Sequence, residues 1–291
     1  MKKIGFIGLG VMGGNMALHL LKKHKNINII KRNSVNTKKF VKKFGDTGRI
    51  NLFECYKDLA ENCELIISCV GNDNDLKEIY LEKNKILDGV KKNTILVDHT
   101  TASLDVTIKL YKKFKSKGAF FFDAPVSGGE IGAQKGNLAI MVGGNKKKFT
   151  LLKKYLDCYY KSLIYMGNSG NGQLTKMVNQ ICVASIIQGL AEGLNFAKKK
   201  KLNVKKLLEV IKNGAAQSWQ LENRSLTMWK NKFNFGFMNQ LMLKDLKILL
   251  EESNSSNIKL PITKQIKNFY KQLIKKGYSK EDTSNLIRLL Q

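Results

Sequence analysis

MKKIGFIGLGVMGG, residues Met1 to Gly14, reads as a short strand that runs straight into a glycine-rich turn. Ile4, Phe6 and Ile7 supply a compact apolar strand. Gly8, Gly10 and Gly13 follow as G-x-G-x-x-G, and the pattern continues into a helix from Gly14 to Lys23. In that setting each glycine has its own use. Gly8 permits a tight turn, Gly10 lets main chain approach a pyrophosphate, and Gly13 lets the helix pack close to the strand. The helix N-terminus then offers free N–H groups and a positive dipole end to phosphates. Gly8, Leu9, Gly10, Val11, Met12 and Gly13 are therefore candidate cofactor-binding residues. The competing reading is a glycine-rich turn in an unrelated α/β domain.

Outward from this turn, strands and helices alternate through the first half. Strand candidates are Lys3–Gly8, Asn28–Lys31, Leu65–Val70, Thr94–Asp98, Phe120–Asp123, Ala139–Val142 and Leu163–Tyr165, with helices such as Leu104–Lys117 and Lys147–Leu156 between them. This is the βαβ pattern of a mostly parallel sheet covered on both faces. Beyond Gly170 the strands stop, and Leu174–Lys199 reads as one long helix. Helices follow at Val204–Asn213, Asn239–Glu252, Ile262–Lys276 and Thr283–Leu290. The fold class expected is α/β: a Rossmann-type doubly wound sheet followed by an all-α domain entered through a long interdomain helix. The boundary falls in GNSGNG, giving a dinucleotide-binding domain at 1–166 and a helical substrate and oligomerisation domain at 167–291.

Bulk numbers narrow the function classes. With 291 residues and 43% apolar content, a full core is expected and general disorder is not. No run of 18 uncharged apolar residues occurs, so a membrane span is not expected. The strand begins at once, leaving no room for an export leader, and the five cysteines lack metal-ligand spacing; both point to reduced thiols and a cytoplasmic location. His19, His24 and His99 are scattered, and no metal is expected. The net charge of +28 suggests nucleic acid at first sight, yet only four of the 51 basic residues are Arg, the residue best suited to base readout. Attraction of small anionic molecules is the consequence preferred here.

The end of the second strand decides between NAD and NADP, because a carboxylate there accepts from the ribose 2′-OH and repels a 2′-phosphate. Lys31, Arg32 and Asn33 occupy it, and the first acidic residue of the chain is Asp46. No carboxylate is expected beside this strand. Lys31 and Arg32 suit a 2′-phosphate, with Asn33 adding a donor, so NADP is expected over NAD. The other reading is that both cations are ordinary surface charge.

Three further segments carry chemistry. DHTTAS, Asp98–Ser103, follows a strand whose C-terminal end faces the ligand crevice, where Val70 also ends its strand. Thr100 and Thr101 either contact ligand or cap the next helix. DAPVSGG, Asp123–Gly129, offers Ser127, Gly128 and Gly129 as a small nest for a carboxylate or as a plain turn. GNGQLTKMVNQ, Gly170–Gln180, places Lys176 on an otherwise core-facing stripe with Gln180 one turn on, and lysine is rarely buried without a task.

These motifs, in this order and followed by LMLKDL at Leu241–Leu246, resemble the β-hydroxyacid dehydrogenases over essentially the whole chain. The resemblance implies transfer of a hydride between NADP(H) and a small carboxylate-bearing semialdehyde or 3-hydroxy acid. Lys176 matches the family's catalytic lysine, acting as general acid and base; burial and the like charge of Lys244 would ease its loss of a proton. Ser127, Gly128 and Gly129 match the loop that binds the substrate carboxylate. Thr101 and Lys244 match cofactor-contacting positions, and Phe237 and Asp245 match the C-terminal substrate wall. Gln180 stands where most relatives have Asn, which leaves the substrate open between 3-hydroxyisobutyrate, tartronate semialdehyde (2-hydroxy-3-oxopropionate), succinic or glyoxylic semialdehyde, and L-serine. A homodimer or homotetramer is expected, with no membrane partner and no specific nucleic acid. The remote alternative is a non-catalytic nucleotide- or nucleic-acid-binding module.

Overall fold

The computed structural model describes residues 3–31 and 34–291. Two compact units divide it, Met1–Lys176 and Met177–Gln291.

In the first unit the chain runs β1 (Ile4–Ile7), α1 (Val11–Lys23), β2 (Ile27–Ile30), α2 (Val35–Phe44), β3 (Ile50–Phe53), α3 (Tyr56–Glu61), β4 (Leu65–Ser68), α4 (Asp73–Leu81), α5 (Ile86–Gly89), β5 (Ile95–Asp98) and α6 (Leu104–Ser116). It continues through β6 (Phe120–Asp123), β7 (Val126–Ser127), α7 (Gly129–Lys135), β8 (Leu138–Gly143), α8 (Lys146–Leu156) and β9 (Tyr160–Gly167) into α9 (Asn171–Lys199). One sheet holds the strands in the order β3-β2-β1-β4-β5-β6-β8-β7, with β9 also on β8. From β3 to β6 every pairing is parallel. The direction of winding reverses between β1 and β4, which opens a ligand crevice at their C-terminal ends.

Alternation along the strands fills both faces. Ile4, Phe6, Leu65, Ile67, Ile95 and Val97 enter one core with Met16 and Leu20 of α1. Ile7, Ile66 and Leu96 enter the other with Tyr80, Leu110 and Phe114. Period-two burial on both sides is what a helix-covered parallel sheet requires.

Four elements depart from the sequence expectation. β3 falls outside the sequence expectation: its four residues INLF sit at the sheet edge, half-buried or exposed, and are too short a stretch to show a strand period. β7 is only two residues long, and β8 runs antiparallel to both β6 and β7 rather than extending the parallel set. The expected terminal α-helix is a 3-10 segment, Thr283–Leu289, capped by Asp282, which accepts from both the backbone N–H and the hydroxyl of Ser284.

The second unit continues α9 and adds α10 (Val204–Ile211), α11 (Trp219–Trp229), α12 (Asn239–Ser255) and α13 (Pro261–Lys275). α11 fell in a stretch given no element from sequence. Its capping serine, Ser218, accepts from Leu221 N–H (3.0 Å). Leu246, Leu249, Ile266, Tyr270 and Leu273 join α12 to α13 in the core.

Candidate active site

The cofactor turn behaves as its glycines require. Gly8 has φ of +92°, and a Cβ there would lie 2.1 Å from the Cys69 carbonyl oxygen. At Gly13 a Cβ would lie 1.8 Å from the Gly8 carbonyl oxygen, so only glycine lets α1 sit this close to its strand. Around Gly10 nothing lies within 4 Å of a built Cβ, which leaves the approach to the backbone open. The helix end is also left bare. α2, α4, α6 and α8 each begin at a Ser or Asn whose side chain accepts from the first turn, while α1 begins at Gly10 with no side-chain cap and no acidic residue in its first turn. Glycine in place of a capping side chain costs a helix only roughly a few tenths of a kcal/mol. Anionic phosphate supplies the same acceptors, so the residues present fit a dinucleotide.

Along the same edge, Val70 N–H donates to Thr100 Oγ1 (3.0 Å), joining the loops after β4 and β5. Thr100 in turn donates its hydroxyl to Asp98 Oδ1 (2.7 Å), as does Ser68 (2.7 Å). Burial pushes the Asp98 carboxyl up to about 6. Thr101 is half-buried, and Ser103, not either threonine, caps α6. The structure thus separates the two threonines: Thr100 braces the loop, and Thr101 stands beyond it.

Ser127 lies in β7, paired with Ala139, and Gly128 and Gly129 turn the chain into α7 with φ of +126° and +60°. His19 of α1 places Nε2 3.0 Å from the Gln134 carbonyl oxygen and 3.1 Å from that of Ala133, tying α7 to the cofactor helix. The start of the loop is fixed by His99: its ring holds the Ala124 carbonyl (2.6 Å) and the Tyr159 hydroxyl (2.9 Å). Burial lowers His99 to about 4, so the ring is neutral at pH 7, donating through Nδ1 and accepting at Nε2.

Lys176 is 7% exposed, close after the start of α9. That start is anchored on Asp123, which accepts from Gly170 N–H (2.8 Å) and Gln173 N–H (3.1 Å). In the second unit Gln180 is buried and donates to Asp245 Oδ2 (2.7 Å). Asn179 is half-buried and donates to Gln180 Oε1, so position 180 is the inward one, as helical spacing requires. Lys244 Nζ lies 3.3 Å from Asp245 Oδ1. Phe237 is half-buried, its N–H bound to Asp282 Oδ2 (2.9 Å).

One expectation is overturned. A carboxylate does stand beside the second strand: Lys31 Nζ is 2.7 Å from Glu54 Oε1. β2 and β3 pair in parallel with Ile30 opposite Phe53, so the residues following each strand become neighbours although 23 positions separate them. Glu54 raises the Lys31 pKa by hydrogen bond and charge. A hollow of about 560 Å³ beside them is lined by Lys31, Lys38, Lys42 and Glu54 over Val41 and Leu52. Arg32 and Asn33 lie outside the described residues.

Residues 3–167 match the family model of the NAD-binding domain of 6-phosphogluconate dehydrogenase. Residues 170–290 match that of the NAD-binding domain of NADP-dependent 3-hydroxyisobutyrate dehydrogenase. The chain belongs to the β-hydroxyacid dehydrogenase family. It is an oxidoreductase acting on CH–OH groups with NAD(P). An uncharacterised oxidoreductase of Shewanella frigidimarina is 42% identical, covering 100% of this chain and 99% of its own. Human mitochondrial 3-hydroxyisobutyrate dehydrogenase is 32% identical, covering 99% of this chain and 86% of its own. Among solved structures, the 3-hydroxyisobutyrate dehydrogenase of Mycobacterium tuberculosis with L-serine superposes with a TM-score of 0.88 at 23% identity, covering 100% of this chain and 99% of its own, a likeness of fold. Among the described residues, α9 alone has the length and mean hydropathy (1.2) of a membrane span. The family match places it at the head of the helical domain.

Proposed function

We propose that this β-hydroxyacid dehydrogenase interconverts a small 3-hydroxy acid and its semialdehyde, with Lys176 as general acid and base and NADP(H) as the preferred coenzyme. The observation that carries the reading is the burial of Lys176 on a helix whose first turn is hydrogen-bonded to the ends of β5 and β6, at the edge of the sheet where the cofactor loops lie. Bound NADP(H) supplies hydride exchange at the carbinol or carbonyl carbon. Lys176 Nζ takes the hydroxyl proton in oxidation and returns one to the developing alkoxide in reduction. Ser127, Gly128 and Gly129 bind the carboxylate and so orient the reacting carbon. Thr101 and Val70 face the coenzyme.

In the second unit, substrate-facing roles for Gln180, Phe237 and Asp245 and a nicotinamide-facing role for Lys244 rest on the family resemblance. The preference for NADP rests on Lys31 and on the two further lysines of the adjoining hollow, which favour a 2′-phosphate; Glu54 opposes it by engaging Lys31. Candidate substrates are 3-hydroxyisobutyrate, the tartronate, succinate and glyoxylate semialdehydes, and L-serine.

A rate panel tests the reading: NADPH and NADH against the semialdehydes, and NADP+ and NAD+ against the hydroxy acids. Turnover of at least one carboxylate-bearing substrate, with the corresponding ester or amide at least about 100-fold poorer in kcat/KM, is expected. Equal rates with and without the carboxylate contradict the role of the Ser127 loop.

A further inference from the structure

Gln173 is wholly buried in the first turn of α9. Its Nε2 donates to the Thr100 carbonyl (2.8 Å), and its Oε1 accepts from the Ala102 N–H (3.1 Å). One amide therefore grips the backbone on both sides of Thr101. Its own N–H is held by Asp123 Oδ2 at the end of β6. Gly172 permits this approach: a Cβ there would lie 2.5 Å from the carbonyl oxygens of Asp123 and Met141. The loop gripped by Gln173 is braced from its far side, where Asp98 accepts from Thr100 and Thr100 accepts from Val70 N–H. Lys176 follows Gln173 by three residues, a little under one turn along the same helix.

We propose that Gln173 is a positioning residue that sets the spacing between the coenzyme-facing Thr101 and the acid–base Lys176, by bonding the backbone around the first from the helix that carries the second. The proposal rests on the Lys176 reading above. The chemistry demands an amide here. Thr100 presents an acceptor and Ala102 a donor, both fixed by the chain, so the bridging side chain must donate at one atom and accept at the next. A carboxylate lacks the donor, a lysine the acceptor, and asparagine is one methylene short. Turning the amide over would set N–H against N–H and oxygen against oxygen. Both contacts lie in a buried place where water does not substitute, so the loop and the helix move as one piece.

The test is Gln173→Met, which keeps length and removes both polar atoms. With the fastest hydroxy acid of the panel, deuterated at its carbinol carbon so that the transferred hydride carries the label, kcat is expected to fall about 10- to 100-fold, since a misplacement near 1 Å at a reacting centre has that effect. The isotope effect on kcat should rise as hydride transfer becomes rate-limiting. The Kd of the coenzyme should stay within about threefold, because the pyrophosphate turn is untouched. A purely structural role would lower thermal stability and leave the isotope effect where it was. A folded variant with the kcat and isotope effect of the parent overturns the proposal.

Should Gln173→Met fail to fold, Gln173→Glu gives a second reading. Protonated glutamic acid again donates and accepts, so its rate relative to the parent should recover as pH falls. Titratable groups on the surrounding elements are Asp98, Asp123, Asp73, His99 and, on its own helix, Lys176. An ionised carboxylate at position 173 also favours the charged form of Lys176, so the ratio is taken in the direction of reduction, where the protonated lysine is the active form and that effect runs opposite to the recovery expected at low pH. A ratio that does not change with pH overturns the proposal. Lys176→Ala, run alongside, separates the two claims. Turnover within about tenfold of the parent removes the lysine reading and the inference together. An inactive Lys176→Ala beside an unaltered Gln173→Met removes the inference alone.

Discussion

Asp98 in the first unit and Asp282 in the second are each 1% exposed, and they are satisfied by different chemistry. Asp98 is held by the hydroxyls of Ser68 and Thr100 and by the Thr100 N–H (3.2 Å), with Tyr80 donating to Ser68 (2.8 Å). Asp282 is paired with the buried guanidinium of Arg224 (3.3 Å) and accepts from the N–H groups of Phe237 and Ser284. Arg224 itself is flanked by the rings of Trp219 and Phe235 at 5.0 and 4.9 Å. A carboxylate held by hydroxyls can take up a proton and stay bonded. One held by a guanidinium works only while charged. The first unit thus keeps soft, neutral bracing behind the loops that face ligand, and the second uses a fixed ion pair to fasten the chain on either side of Phe237.

The largest expected effect breaks the second arrangement. Arg224→Met should cost about 3–5 kcal/mol, because it leaves Asp282 charged and buried without its cation; urea unfolding measures it, and a loss below about 1 kcal/mol would show the pair to be dispensable. Next comes the pH dependence of the first. Asp98 has a folded pKa of about 6 against an ordinary value of 3.8. Its protonation therefore stabilises the fold fully below the ordinary value, and that contribution is lost as pH rises through the folded one. Relative to Asp98→Asn, the parent should gain about 2–3 kcal/mol on acidification from about pH 7 to about pH 4. A gap that is constant with pH would mean that the Asp98 carboxyl has the same pKa in the folded and unfolded chain.

Two smaller effects probe the ligand edge itself. Gly10→Val should leave stability nearly unchanged, since open space surrounds that position, and raise the coenzyme Kd at least about tenfold by filling the approach to the phosphates. A clear loss of stability in a variant that still binds coenzyme with the parent Kd would reverse the meaning of that glycine. Glu54→Gln should shift the ratio of kcat/KM for NADP+ over NAD+ upward by about 3- to 10-fold, by releasing Lys31 and removing a charge that repels a 2′-phosphate. A shift toward NAD+ would show that Glu54 matters only as a prop for Lys31.

Much of the first unit is legible in the chain because local rules decide it. The strand before Gly8, the bare helix start at Gly10 and the contact that forbids a side chain at Gly13 are all consequences of residues within a few positions of one another. Lys176 could be singled out by its motif, GNGQLTKMVNQ, and its buried helical neighbours are Gln173 and Gln180 rather than an apolar stripe. What escaped depends on distance along the chain. Glu54 reaches Lys31 only because two short strands pair in register, and β3 is a four-residue edge strand too short to announce itself. Gln173 lies inside a motif that draws attention, yet its partners stand 71 and 73 residues away. The terminal 3-10 segment spans Thr283–Leu289, and nothing in its sequence pattern distinguishes it from a short α-helix. In the second unit α10 is strongly amphipathic and legible as a helix, although none of its residues is buried.

The most direct measurement is a single turnover of Lys176→Ala followed by the absorbance of the reduced nicotinamide, with coenzyme binding measured on the same preparation. The account predicts hydride transfer slowed by about 10²- to 10⁴-fold with the coenzyme Kd within about threefold of the parent. Transfer within about tenfold of the parent rate, on a protein that binds coenzyme normally, would contradict it.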